Sequence, residues 1–332
     1  MGVKNKIKGT RGIKSNSIDY AFSEFMCEKM AEGKAKSTLR AYEQSWQYFM
    51  DFCAKAADLD GDDDVNSINS LLLNTWIIAI TKDTVNGKKS TTVNHYLRDV
   101  RVFLYWCMDK GYIEDDFKIK LVKAQEEEIK LYSEEDLEKL LEKPHRKEPF
   151  TVWRSWAVVN FVLGTGVRAS TVCNVKLRDL DFKRKEVRLA HTKNKKAQIN
   201  PLSAGTIVAL KEYITMFNIG ERDGDDAWLF PSIEAEQLTT GALSHSYYRY
   251  CKDRGVERTN IHGLRHNFAK AYVINGGNMM KLQRILGHST LAMTQKYVKL
   301  FVDDLKEDYN EVVALDNIKK PTSRKRVIQR RV

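Results

Sequence analysis

The chain has 332 residues, 42% of them apolar and 30% charged, which fits one large domain or two ordinary ones with a sizeable core and excludes a disordered chain. No run approaches the roughly 20 apolar residues of a membrane span, and no apolar signal-type stretch opens the chain, so a soluble intracellular protein is expected. The net charge of +11 sits in the ends: residues 1–14 hold five basic residues and no acid, residues 319–332 hold seven and no acid, and the body between them is left at −1.

Basic ends suggest a polyanion partner, nucleic acid first, against the plain alternative of a solvating tail. After Ser17, apolar residues at Ile18, Ala21, Phe22, Phe25, Met26 and Met30 make the stripe of an amphipathic helix with a serine cap, closed by Gly33. A second stripe follows Ser37 through Leu39, Tyr42, Trp46, Phe49 and Cys53. The acidic stretch Asp58 to Asp64 reads as a loop, and a shorter helix spans about Leu71 to Ile80. Asn86-Gly87 signals a turn. Ser90 or Thr91 then caps a helix with Val93, Leu97, Val100, Leu104 and Cys107 on one face, closed by Gly111. Four helices with short loops predict a small bundle over 16–118. Its basic residues Lys36, Arg40, Lys88, Lys89 and Arg98 are candidate DNA contacts, although a solvated helix face is the ordinary reading of such residues.

Residues 114–131 lack apolar periodicity and are rich in Lys and Glu, so 119–131 is read as a linker and 132–318 as a second domain. Ser133 with Asp136 predicts a capped helix over Asp136 to Glu142. Trp153, Trp156, Ala157, Asn160 and Phe161 recur at helical spacing. The alternating segments Glu186 to Ala190 and Ala197 to Leu202 flank Thr192-Lys193-Asn194-Lys195-Lys196, which predicts a β-hairpin with a basic tip. Helices dominate from Ile207 onward. The fold class is therefore mainly α with a small antiparallel sheet.

Several chemistries are missing from the sequence. The five cysteines (Cys27, Cys53, Cys107, Cys173, Cys251) are odd in number, far apart and in no CxxC pair, which excludes a cysteine-rich zinc module and argues against a disulfide framework. The seven histidines are scattered with no HExxH, there is no Walker-type glycine loop, and no GxSxG elbow occurs. No metal or cofactor is expected. Three segments stand out instead. In Gly164-Thr165-Gly166-Val167-Arg168, a glycine turn ends a long apolar helix and delivers an arginine at the start of the next. In His262-Gly263-Leu264-Arg265-His266, a helix capped by Thr259 or Asn260 puts His262 and Arg265 on one face, about 5–6 Å apart, suited to a phosphate oxyanion. In Leu286-Gly287-His288-Ser289-Thr290, one helix ends and another, capped by Ser289 or Thr290, carries Tyr297.

Taken together, the order Arg, Lys, His-x-x-Arg, Leu-Gly-His, Tyr resembles the catalytic domain of the tyrosine recombinases (phage integrases and Xer-type recombinases) over roughly 132–310. The likeness includes Pro201-Leu202 after the Lys193 hairpin and a strand ending at Leu229-Phe230-Pro231. The helical bundle is similar to that family's core-binding domain. The resemblance implies that Arg168, Lys193, His262, Arg265 and His288 are catalytic and that Tyr297 is the nucleophile, with Lys195 and Lys196 touching the DNA backbone and His266, the residue after Arg265, standing behind the catalytic residues. One position departs: three residues after the first arginine the family usually has an acid that braces it, and here stands Thr171.

The chemistry suits these residue types. Charge grows on a phosphodiester as it becomes pentavalent, and preorganised cationic donors stabilise it without a metal. A tyrosine hydroxyl can form a covalent phosphotyrosine that conserves the bond energy, so strands are rejoined without ATP. The resemblance implies a site-specific recombinase acting on double-stranded DNA at core sites through a Holliday junction. It would work as a homotetramer joined through an acidic amphipathic helix over 301–315. Accessory factors remain open. Only about 15 residues precede the first helix, so no separate arm-binding domain is expected. A cytoplasmic, nucleoid-associated protein of a prokaryote, phage or mobile element fits this reading. A nicking-closing topoisomerase with the same chemistry, or a DNA-binding relative without catalysis, are the alternatives.

Overall fold

A computed structural model of the chain describes residues 16–82, 88–123, 129–189 and 198–299. The tails, the Asn86-Gly87 turn, the basic hairpin tip with Lys193, Lys195 and Lys196, and the segment 301–315 lie outside these residues. The chain divides into two units, Met1–Glu127 and Glu128–Val332.

Four helices build the first unit: α1 (Ile18–Ala31), α2 (Lys36–Ala57), α3 (Ser70–Lys82) and α4 (Ser90–Asp109). Ser17 caps α1 as expected, its Oγ accepting from the Tyr20 amide. Ser37 and Ser90 do not cap. Both lie inside first turns, behind N-cap residues Ala35 and Lys89 that offer no side-chain bond. Packing of the apolar stripe, rather than a hydroxyl, sets where α2 and α4 begin. The stripes meet in an aromatic core of Phe25, Trp46, Phe49, Trp76, Phe103 and Trp106. Trp46 and Phe103 meet edge to face with centroids 4.5 Å apart, a geometry that adds about 0.5–1.5 kcal/mol beyond area burial.

The span read as a linker is anchored at both ends. Ile119 is buried in the first core, and Asn94 clamps the Val122 backbone through two hydrogen bonds of 2.8 Å. Ile129 and Leu131 pack within the second unit.

The second unit opens with α5 (Glu134–Leu141), two residues earlier than the sequence predicts, capped by Ser133. α6 (Phe150–Thr165) is buried on nearly every side and packs against α5, α8 (Ala204–Met216), α9 (Thr240–Asp253) and α10 (Ile261–Ile274). Such all-round burial explains why its apolar residues fill more than one stripe. After α6 come the single turn α7 (Ala169–Val172) and a sheet of β1 (Leu180–Asp181), β2 (Glu186–Leu189) and β3 (Gln198–Pro201). The order is β1-β2-β3, antiparallel throughout, with Val187 opposite Asn200 and Leu189 opposite Gln198. The expected class, mainly helical with a small antiparallel sheet, is thus found. Leu229-Phe230-Pro231 does not end a strand: one bridge pair, Lys176 with Trp228, stands there, and Leu229 and Phe230 are core residues. α11 (Met279–Leu286) and α12 (Ala292–Lys299) complete the described unit. Neither Ser289 nor Thr290 begins α12; its first amide bonds, from Thr294 and Gln295, go to the Leu291 carbonyl. Among the described residues no helix is long and apolar enough to cross a membrane, and all five cysteines are free thiols.

Candidate active site

The site is built where two helices stop. α6 ends at Gly166, which adopts φ +66°, and a Cβ there would come within 2.4 Å of the Phe268 ring and 2.9 Å of Leu286. Only glycine fits this conformation and this contact. The turn delivers Arg168 at the N-cap of α7. α11 ends the same way at Gly287, φ +62°. Between the two ends lies Arg265 of α10, 2% exposed. It donates through Nη1 to the Gly166 carbonyl (2.7 Å) and through Nη2 to the Leu286 carbonyl (2.8 Å). Arg168 reaches the same Leu286 carbonyl at 3.5 Å. Burial, with the neighbouring Arg168, lowers Arg265 to about 10, and burial also lowers Arg168. Both guanidiniums stay cationic at neutral pH.

Three imidazoles and the tyrosine complete an open cleft of about 380 Å³ lined by Arg168, His262, Arg265, His266, His288 and Tyr297. Nε2 of His288 lies 2.9 Å from Arg265 Nη2, and its Nδ1 lies 2.9 Å from Thr294 Oγ1. An arginine can only donate, so Nε2 accepts, and the proton of the neutral ring sits on Nδ1 facing Thr294. Burial and the charges of Arg265 and Arg168 push His288 down to about 4. His262 is the most open of the three, and partial burial together with Arg265 and Arg168 lowers it. The Tyr297 hydroxyl shares a 2.9 Å hydrogen bond with Nδ1 of His266. Burial raises the hydroxyl pKa while Arg265 and Arg168 pull it down. Burial and the neighbouring His262 hold His266 at about 4, so it is neutral near pH 7.

Five of the six candidate catalytic residues therefore converge on one cleft, and the sixth, Lys193, lies outside the described residues. His266, read from the sequence as standing behind the catalytic residues, hydrogen-bonds the tyrosine. Two residues escaped sequence reasoning, Gln198 and Asn200. They bond to the backbone that holds the arginines, and the available signal was a polar residue at an inward position of β3. Of the candidate DNA contacts, Lys36, Arg40, Lys89 and Arg98 are exposed on the first unit. Lys88 is half-buried, its ammonium 4.9 Å from the Tyr48 ring and 5.9 Å from that of Tyr96, so part of its charge is spent within the fold. Among the described residues no group of three His, Cys, Asp or Glu could hold a metal ion.

Residues 130–303 match the phage integrase family. The tyrosine recombinase XerC of Thermodesulfovibrio yellowstonii is 28% identical over 290 residues, covering 85% of this chain and 92% of that protein. The tyrosine recombinase XerA of Saccharolobus solfataricus is 26% identical over 309 residues, covering 90% and 95%. Among solved structures, the Tn1549 transposon integrase in complex with a circular intermediate DNA superposes with a TM-score of 0.70 at 17% identity, covering 90% of this chain and all of that one. The XerH recombinase bound to a palindromic difH substrate gives 0.67 at 19% identity, covering 86% and 83%. With residues 130–303, just over half the chain, matched by the family, this chain belongs to the phage integrase family of tyrosine recombinases.

Proposed function

We propose that this enzyme cuts and rejoins duplex DNA at specific sites through a 3′-phosphotyrosine. The observation that carries the reading is the juxtaposition of the Tyr297 hydroxyl with two cationic guanidiniums in one open cleft. A scissile phosphate seated there would have its nonbridging oxygens facing Arg168 and Arg265, with His262 beside them. The hydroxyl oxygen attacks phosphorus, the bond from phosphorus to the 5′ oxygen breaks, and the 3′ phosphate is left on Tyr297. The tyrosine proton passes to neutral His266, its hydrogen-bond partner. The proton needed by the departing 5′ oxygen comes from Lys193, the role its family position implies. His288 keeps Arg265 oriented by accepting from it.

Attack of a second 5′ hydroxyl on the phosphotyrosine reverses these steps and joins a new partner. Exchange of one strand at a time passes through a Holliday junction, held by four protomers linked through residues 301–315. The Tn1549 integrase was solved in complex with a circular intermediate DNA and XerH bound to a palindromic difH substrate, which supports a DNA partner here. The boundaries 16–118 for the DNA-binding bundle and 132–318 for the catalytic domain belong to the same reading, as does a location at the nucleoid.

The test is a nicked suicide substrate, in which the 5′ fragment diffuses away and traps the intermediate. Wild-type protein should give a covalent complex on a denaturing gel and Tyr297→Phe none, with DNA affinity unchanged. A complex formed by the Phe variant would overturn the assignment. Recombined rather than merely relaxed circles distinguish a recombinase from a topoisomerase.

A further inference from the structure

A catalytic arginine must be held in one orientation, and an acidic neighbour is the direct way to hold it. Here the position three residues after Arg168 is Thr171, buried and uncharged. Among the described residues no ion pair joins Arg168 or Arg265 to a carboxylate. Besides His288 Nε2, the acceptors are backbone carbonyls at two helix C-termini, Gly166 O after α6 and Leu286 O at the end of α11. Such carbonyls lack helical partners and carry the negative end of the helix dipole, roughly half an electronic charge. Two helix ends thus supply what one carboxylate would. They do so only if both ends are fixed relative to each other.

We propose that Asn200, assisted by Gln198, is the positioning residue that locks these helix ends together and so orients the arginine pair. The proposal rests on the recombinase reading above. Asn200 is fully buried, 0% exposed, on β3. Its Nδ2 donates to Thr165 O (3.0 Å) and to Ile285 O (2.9 Å). Each of these carbonyls precedes, by one residue, a carbonyl that holds an arginine. Asn200 Oδ1 accepts from Gln198 Nε2 (2.6 Å), which also lies 2.7 Å from Arg284 O and 2.6 Å from Ile285 O. The last turn of α11 is then fully accounted for. Gln283 O and Arg284 O take the His288 and Gly287 amides, Arg284 O and Ile285 O take the two amide side chains, and Leu286 O takes the arginines. An amide can donate twice and accept once at this point. An aspartate of the same shape would set a carboxylate against Thr165 O and Ile285 O. Because β3 is one arm of the hairpin that carries Lys193, the same residue also ties the hairpin to the arginines.

Asn200→Val and Gln198→Met separate positioning from folding. Thermal melting and DNA affinity report the fold. Single-turnover cleavage is read on two suicide substrates, one with the natural phosphate and one with a methylphosphonate, in which an uncharged methyl replaces a nonbridging oxygen and less positive charge is needed. On the phosphate, both variants should be slowed, Asn200→Val on the order of 100-fold, as for a misplaced catalytic group. On the methylphosphonate the deficit should shrink to within about tenfold, as it should for Arg168→Ala, whose charge stabilisation is then less needed. Wild-type rates in both variants, or equal deficits on both substrates, would overturn the proposal. Should Asn200→Val fail to fold, half-buried Gln198→Met carries the same comparison. A wild-type protein that forms no covalent complex would count against the recombinase reading instead. The positioning is then read from the guanidinium nitrogen signals of Arg168 and Arg265 in NMR spectra: restricted in wild type and averaged in Gln198→Met supports it, and unchanged signals overturn it.

Discussion

Nε2 of His288 accepts a hydrogen bond from Nη2 of Arg265 at 2.9 Å, while its Nδ1–H faces Thr294. The imidazole thus spends its accepting nitrogen on the arginine. In this arrangement it orients a cation rather than donating to phosphate, and it does so only while neutral. Protonation would set an imidazolium against a guanidinium at hydrogen-bond distance.

Replacing His288 with Phe removes the acceptor while keeping a flat ring. Cleavage of a suicide substrate should fall by about 10-fold to 100-fold, since Arg265 keeps its two carbonyl partners and loses only part of its support. DNA affinity should hold. A rate equal to wild type would remove His288 from the orientation of Arg265.

Stability should depend on pH through the same rings. His266 and His288 are held down to about 4 from an ordinary 6.5. Above about pH 6.5 both are neutral whether folded or unfolded, and the full stability is present. As pH falls from about 6.5 toward 4, only the unfolded chain takes up their protons, so stability is lost. The melting midpoint should drop steadily between about pH 7 and 5, and less steeply in His288→Gln. A midpoint flat over that range would contradict the burial of the two rings.

The two proton transfers can be told apart with one substrate. A sulfur at the 5′-bridging position leaves as a thiolate and needs no proton. Lys193→Ala should therefore recover on it. His266→Ala, which acts on the attacking hydroxyl, should stay slow, by about 100-fold or more. Recovery of His266→Ala would move that histidine to the leaving-group side, and failure of Lys193→Ala to recover would pass the acid role to Lys195 or Lys196.

Gly166→Ala tests the turn that delivers Arg168. The left-handed backbone costs an alanine about 1–2 kcal/mol. The Cβ contact at 2.4 Å with the Phe268 ring adds about 1–3 kcal/mol of overpacking. Denaturant melts should show a loss of about 2–5 kcal/mol. Cleavage in the surviving folded protein should also be impaired, because the Gly166 carbonyl is an Arg265 acceptor. A loss under about 1 kcal/mol would mean that α6 and Phe268 relax freely.

The sequence carried much of this through periodicity and side-chain type. The stripes of α1, α2 and α4, the glycines that end α6 and α11, and the spacing of His262 and Arg265 are all local signals, and each reappears in the structure. What it hid was of another kind. β1 has two residues, too few to alternate. α2, α4 and α12 do not begin at the nearest hydroxyl. Asn200 matters through carbonyls 35 and 85 residues away, and every residue has a carbonyl. No pattern of side chains marks which of them will be left over at a helix end.

The carbonyl support of the arginines has one more consequence. A carboxylate brace has a proton affinity of its own, and in acid it would neutralise and let go. Backbone carbonyls do not titrate in that range, so the orientation of Arg168 and Arg265 by Gly166 and Leu286 has no pKa. Among the described residues of the cleft, acid sensitivity is left to the histidines. The part of the aim that the carbonyls supply therefore holds at all pH values where the fold survives, and only the part that neutral His288 adds to Arg265 is lost in acid.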